Sequence, residues 1–196
     1  MLFAPIRQAT GVAACVAAFA VLAACDSGTV PNPAEAERPP SGAVVAANEV
    51  DLRGDGLAAG PEAFYFAAGR SEVEQAVARA LGTPTGRSSN AECGAGTLDF
   101  TDFPGGFAVH FKDDRLVGWN WRLLQDGDES AQGVLRLSSS DVKVGSTRSL
   151  AEQAQGFAPI TASTLGEEFS IGSSVGGFIE NDAVAMLYAG TQCFFR

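Results

Sequence analysis

Cys93, His110 and the acids of 126–129 are the side chains whose types could do chemistry in this 196-residue chain. A free Cys93 beside His110 would make a nucleophile–base pair, because an imidazole can take the thiol proton. His110 is the only histidine, which excludes sites built from several histidines. It falls out of phase with Phe107, Val109 and Phe111, so exposure or a satisfied hydrogen bond is the plainer expectation. Asp126-Gly127-Asp128-Glu129-Ser130 opens like a calcium loop. A hand-type loop needs Gly sixth and an acid twelfth, and here those positions are Ala131 and Leu137. A polar turn is expected instead, and no metal site. Asp113 and Asp114 pair as turn acids, expected to lie in solvent.

Trp119 and Trp121 share one strand face and could line a groove. Aromatic side chains at that spacing are expected in the core, where their burial stabilises a sheet. Glycines at 105–106 and 172–177 lie between strand-like runs and do not open a helix after a strand. This excludes a phosphate loop and a dinucleotide fingerprint, and no cofactor is expected. Arg53-Gly54-Asp55 is expected to be a turn ahead of the main elements.

The elements that must position these residues follow from periodicity. Val73, Ala76, Val77, Ala80 and Leu81 form one apolar stripe, predicting a helix over 71–81. Ser71 with Glu74 reads as its capping box, and Gly82 followed by Pro84 as its end. Period-2 alternation predicts strands over 97–103, 107–111 and 115–123, with turns at Pro104-Gly105-Gly106 and Lys112-Asp113-Asp114. The order recurs: a shorter helix over 148–155, then strands over 167–171, 175–179 and 183–188. Gly105-Gly106-Phe107 is echoed by Gly176-Gly177-Phe178, and Asp113-Asp114 by Asn181-Asp182. The expectation is an α+β domain of two helix-plus-antiparallel-meander halves, 60–124 and 142–196. The segment 125–141 fits neither half and is expected to add a strand over 134–137.

The N-terminus has a different character. Residues 1–24 carry one charged side chain, Arg7, then an apolar run over 11–24 that is short for a membrane span. A charged start, a short apolar region and small residues at its end are the layout of a secretory signal. Leu22-Ala23-Ala24-Cys25 at that point resembles the lipobox of bacterial lipoproteins. The resemblance implies alkylation of the Cys25 thiol by diacylglycerol and cleavage before Cys25. It also implies acylation of the new amine with chains such as palmitate, enough for stable attachment to a membrane. Asp26 resembles the residue that retains enteric lipoproteins in the inner membrane, a rule loose enough to leave both membranes open. Residues 26–47 are rich in Pro, Ser, Ala and Glu and are expected to be a tether. The domain is then 48–196, with all but two of the thirteen Phe.

Removing 1–24 removes Arg7 and no acid, so the formal charge moves from −10 to −11. Such a surface excludes nucleic acid, whose binding needs Lys and Arg to neutralise phosphates. With Cys15 leaving in the signal and Cys25 lipidated, Cys93 and Cys193 remain in an oxidising compartment, and a Cys93–Cys193 disulfide is expected.

The Gly-X-Ser/Thr phrases before each predicted helix, Gly69-Arg70-Ser71 and Gly145-Ser146-Thr147, complete a further resemblance. Over about residues 60–196 the chain resembles β-lactamase-inhibitor-protein-like modules, including small lipoproteins of the outer-membrane assembly machinery. That resemblance implies a non-catalytic binding or scaffolding role, with no ligand-binding residues to carry over. The function expected is an envelope lipoprotein facing the periplasm, with an envelope protein as its partner. The alternative is a small periplasmic hydrolase or thiol-dependent enzyme using Cys93, His110 or the turn acids.

Overall fold

The structure, a computed structural model, describes residues 45–194. Strands β1 (Glu49–Arg53), β2 (Gly56–Ala59) and β3 (Glu62–Tyr65) form an antiparallel meander. The turn from β1 to β2 holds Gly54 and Asp55, as expected for Arg53-Gly54-Asp55. Helix α1 (Arg70–Leu81) follows, with all five residues of its predicted stripe buried. Its expected capping box does not form. Gly69 is the N-cap and makes no side-chain cap, while Glu74 accepts hydrogen bonds from Arg70 at 2.8 Å and Thr101 at 2.6 Å. The helix ends at Gly82, whose φ of 113° suits a residue without Cβ.

Strands β4 (Gly86–Asn90), β5 (Leu98–Phe103), β6 (Phe107–Lys112) and β7 (Arg115–Arg122) come next, then β8 (Val134–Leu137). Helix α2 (Arg148–Glu152) precedes β9 (Phe157–Pro159), β10 (Glu167–Ile171), β11 (Val175–Glu180) and β12 (Ala183–Gly190). Two-residue turns at Asp113-Asp114 and Asn181-Asp182, all with φ between 50° and 61°, close the hairpins β6–β7 and β11–β12. Such turns match the right-handed twist of the flanking strands.

Two sheets result. One has the order β3-β2-β1-β8, with β8 parallel to β1. The other is antiparallel, in the order β4-β5-β6-β7-β12-β11-β10-β9. The expected α+β domain of two helix-plus-meander halves is therefore overturned: the fold is mostly β and β-sandwich-like. Its helices have twelve and five residues, and α2 stops at Glu152, short of the predicted 155. A five-residue helix cannot cover half of an eight-stranded sheet. The smaller sheet takes that part through Val50, Leu52 and Leu57, which join the same apolar cluster as α1, Phe107, Trp119 and Leu187. Trp119 ties the layers: its Nε1 donates to the Arg53 carbonyl at 2.8 Å and the Gly56 carbonyl at 3.0 Å.

Candidate functional site

Strand register divides the large sheet into two faces. Residues such as Thr101, Val109, Trp119 and Ala189 align in an inner row against α1 and the smaller sheet. The alternate residues form three outer rows. The first is Ser88, Phe100, His110, Gly118 and Gly190. The second runs through Asp102, Ala108, Asn120, Tyr188, Gly176 and Ser170. The third is Arg122, Met186, Phe178 and Glu168.

The first row is covered by the last described residues. Thr191 N donates to the Val117 carbonyl at 2.7 Å, and Gln192 Nε2 to the Trp119 and Ala189 carbonyls at 3.1 and 2.8 Å. A Cβ at Gly118 would collide with the Thr191 carbonyl, so only glycine admits this strap. A Cys93–Cys193 disulfide, with Cα atoms 4.9 Å apart, fastens the strap to the loop after β4. Phe194 then lies edge-on to Tyr188 and Phe178, ring centroids 5.0 and 5.5 Å away.

His110 sits beneath the strap and is 1% exposed. Its Nδ1 must be the protonated nitrogen, since it donates to the Thr191 carbonyl at 2.9 Å. Burial pushes the imidazole pKa down, against the smaller upward pull of that carbonyl. Nε2 has no hydrogen-bond partner among the described residues. Cys93 and His110 are thus gathered at one end of the sheet, but Cys93 is committed to sulfur and His110 to the strap. Glu168, also buried, accepts a hydrogen bond from the Tyr188 hydroxyl.

Rows two and three stay open around Arg122. Asp128 grips this guanidinium with both oxygens, Nη1 to Oδ2 at 2.6 Å and Nη2 to Oδ1 at 3.1 Å. Asp128 also accepts from Gln125 N at 2.7 Å. Chiefly through the Arg122 hydrogen bonds, its carboxyl is held down at about 2. The residues that opened like a calcium loop are therefore an arginine clasp. No group of three or more His, Cys, Asp or Glu among the described residues could hold a metal. On one side of Arg122 is a hollow of about 160 Å³, lined by Phe100, Asp102, Asn120 and Glu129. On the other is one of about 180 Å³, lined by Leu123, Phe178, Glu180 and Met186.

The remaining sequence candidates lie elsewhere. Trp119 and Trp121 are core residues. Asp113 and Asp114 are exposed at the β6–β7 turn, where Asp114 Oδ1 is 3.7 Å from Arg70 Nη1. Cys25 and the lipobox lie outside the described residues. No helix among the described residues is long and apolar enough to cross a membrane. The outer face was missed in the sequence, although the out-of-phase positions of the predicted strands, Phe100, Asn120, Arg122 and Tyr188, were there to be read. No family model, curated protein or solved structure matches the chain.

Proposed function

We propose that this protein is a lipid-anchored envelope lipoprotein facing the periplasm, whose folded domain is a non-catalytic binding module. Its binding surface is the open part of the outer face of the eight-stranded sheet. One observation carries the binding reading. Around Arg122, rows two and three place half-buried Asn120, Met186 and Phe178 side by side, with hollows on both sides and, among the described residues, only the Phe194 ring of the strap reaching Phe178. Sheet faces of soluble domains bury their apolar side chains, so mixed aromatic and polar rows left open mark an interaction surface. The two residues of the thiol-enzyme alternative, Cys93 and His110, are each tied to the strap and do not line the hollows. The anchor rests on Leu22-Ala23-Ala24-Cys25 and the apolar run before it.

Two measurements test this. Expressed as the full chain in a bacterium, the protein is expected to yield an N-terminal peptide starting at Cys25 with diacylglycerol and acyl mass, and Cys25→Ala to leave the detergent phase. A water-soluble product cut elsewhere overturns the anchor. A photo-crosslinking residue at Phe178 is expected to trap envelope protein in living cells where one at Glu152 does not. Equal yields from both positions overturn the binding face.

A further inference from the structure

We propose that the open outer face docks a basic polypeptide segment, whose cationic side chains enter the hollows on either side of Arg122. This rests on the binding-face reading above and adds the chemistry of the partner. Charge complementarity carries it. The two hollows are lined by one guanidinium, Arg122, against four carboxylates: Asp102, Asp128, Glu129 and Glu180. Asp128 neutralises Arg122 through the bidentate clasp. Asp102, Glu129 and Glu180 make no side-chain hydrogen bond or ion pair among the described residues, although Asp102 lies near enough to feel the Arg122 charge.

The contrast with the rest of the domain is sharp. Arg70, Arg79, Arg87, Arg136 and Arg148 each pair with a carboxylate on another element. Around the hollows, carboxylates without an ion-pair partner among the described residues stand beside partly exposed apolar side chains, Leu123, Phe178 and Met186. Focused fields of this kind raise the local concentration of opposite charge and steer its approach.

Dimensions select a polypeptide over a small amine. Asp102 on β5 and Glu180 on β11 are four strand spacings apart across the sheet, about 19 Å. They are further offset along it, since the Asp102 row meets β11 at Gly176, a separation that an extended segment bridges. A single ammonium would fill one hollow and leave the carboxylates of the other unmet. A segment with Lys or Arg at alternate-plus-two spacing and an apolar residue between them meets both hollows and the apolar ridge.

The test is an NMR titration of the folded full-length protein with two peptides, Lys-Ser-Leu-Ser-Lys and Glu-Ser-Leu-Ser-Glu. The lysine peptide is expected to shift the amides of Asp102, Asn120, Arg122 and Phe178, and to weaken as salt is raised. Asp102→Asn with Glu180→Gln is expected to weaken it about fivefold, the size of two weak surface ion pairs lost together. A control pair of equal charge change, Asp55→Asn with Glu72→Gln, is expected to leave it within about twofold. Equal weakening by both pairs, or binding of the glutamate peptide at the same amides, overturns the basic-partner inference and leaves the face standing. Shifts confined to another surface, or none with either peptide, overturn the inference and count against the face as well.

Discussion

The inner and outer faces of the eight-stranded sheet carry alternate residues of the same strands, yet they are sealed by different means. The inner face is closed by apolar packing, with Phe107, Phe111, Trp119 and Leu187 buried against α1 and the smaller sheet. Its polar members are compensated: Glu74 is bonded to Arg70, Arg87 and Thr101, and the Arg70 guanidinium also lies over the Phe111 ring. The outer face is closed over its first row by a strap that a disulfide fastens, with Phe194 reaching Tyr188 and Phe178 in the next two rows. Beyond the strap, Asp102, Glu129 and Glu180 lack an ion-pair partner among the described residues, and Phe178 and Met186 are half-buried. A side chain's strand position settles which face it joins. What lies over that face settles whether it stabilises the fold or is left to meet a partner.

That contrast can be broken by substitution. Trp119→Ala on the inner face is expected to cost about 3–5 kcal/mol in urea unfolding, since it opens a cavity and strands two carbonyls. Replacing Cys93 and Cys193 by Ser is expected to cost about 2–4 kcal/mol, because the bridge spans 100 residues of chain. A smaller loss would mean that the strap holds without its staple.

His110 sharpens the same point. Its folded pKa lies below the usual 6.5, so the unfolded chain binds the proton first as pH falls below that value. Stability should therefore decline with acid from about 6.5 downwards. The decline should shrink in the Cys-free variant, as followed by unfolding at stepped pH, if the strap is what buries the ring.

Glu74→Gln is expected to cost about 1–3 kcal/mol at neutral pH through loss of charged hydrogen bonds. Burial pushes the Glu74 carboxyl up, but hydrogen bonds from Arg87, Thr101 and Arg70 outweigh it and hold it at about 2. Its contribution is thus present above pH 4.5 and lost as acid approaches 2, which unfolding at stepped pH would register. The smallest effect belongs to Asp102→Asn on the open face, expected within about 0.5 kcal/mol of the parent. If it destabilised as much as Glu74→Gln, the outer-face carboxylates would be structural and the contrast between the faces would fail.

Much of this was legible where periodicity is strong. The α1 stripe and the alternation of β6 and β7 are long enough to predict element type, and Asp113-Asp114 marked its hairpin. The edge strands β4 and β9 were not legible, since Gly86-Arg87-Ser88-Ser89-Asn90 has no apolar alternation and β9 ends on Pro159. Strands β1 to β3 were also missed. Their short runs, Val50 and Leu52 or Leu57 to Ala59, carry too little pattern without the partners that complete their layer. Ser71 and Glu74 had the right spacing for a capping box, but Arg70, Arg87 and Thr101 compete for the same carboxylate, and only tertiary contact brings the last two there.

The sequence by itself determined the lone histidine, the acidic balance and which residues of each long strand share a face. It also reduced the disulfide to one pairing within the expected mature chain, because counting and alternation are local properties. Only the tertiary structure decided that Asp128 clasps Arg122, that a strap closes over His110, and that Asp102 and Glu180 face the same surface. Those outcomes depend on strand order and on what is laid across each face, and residues far apart in the chain set both.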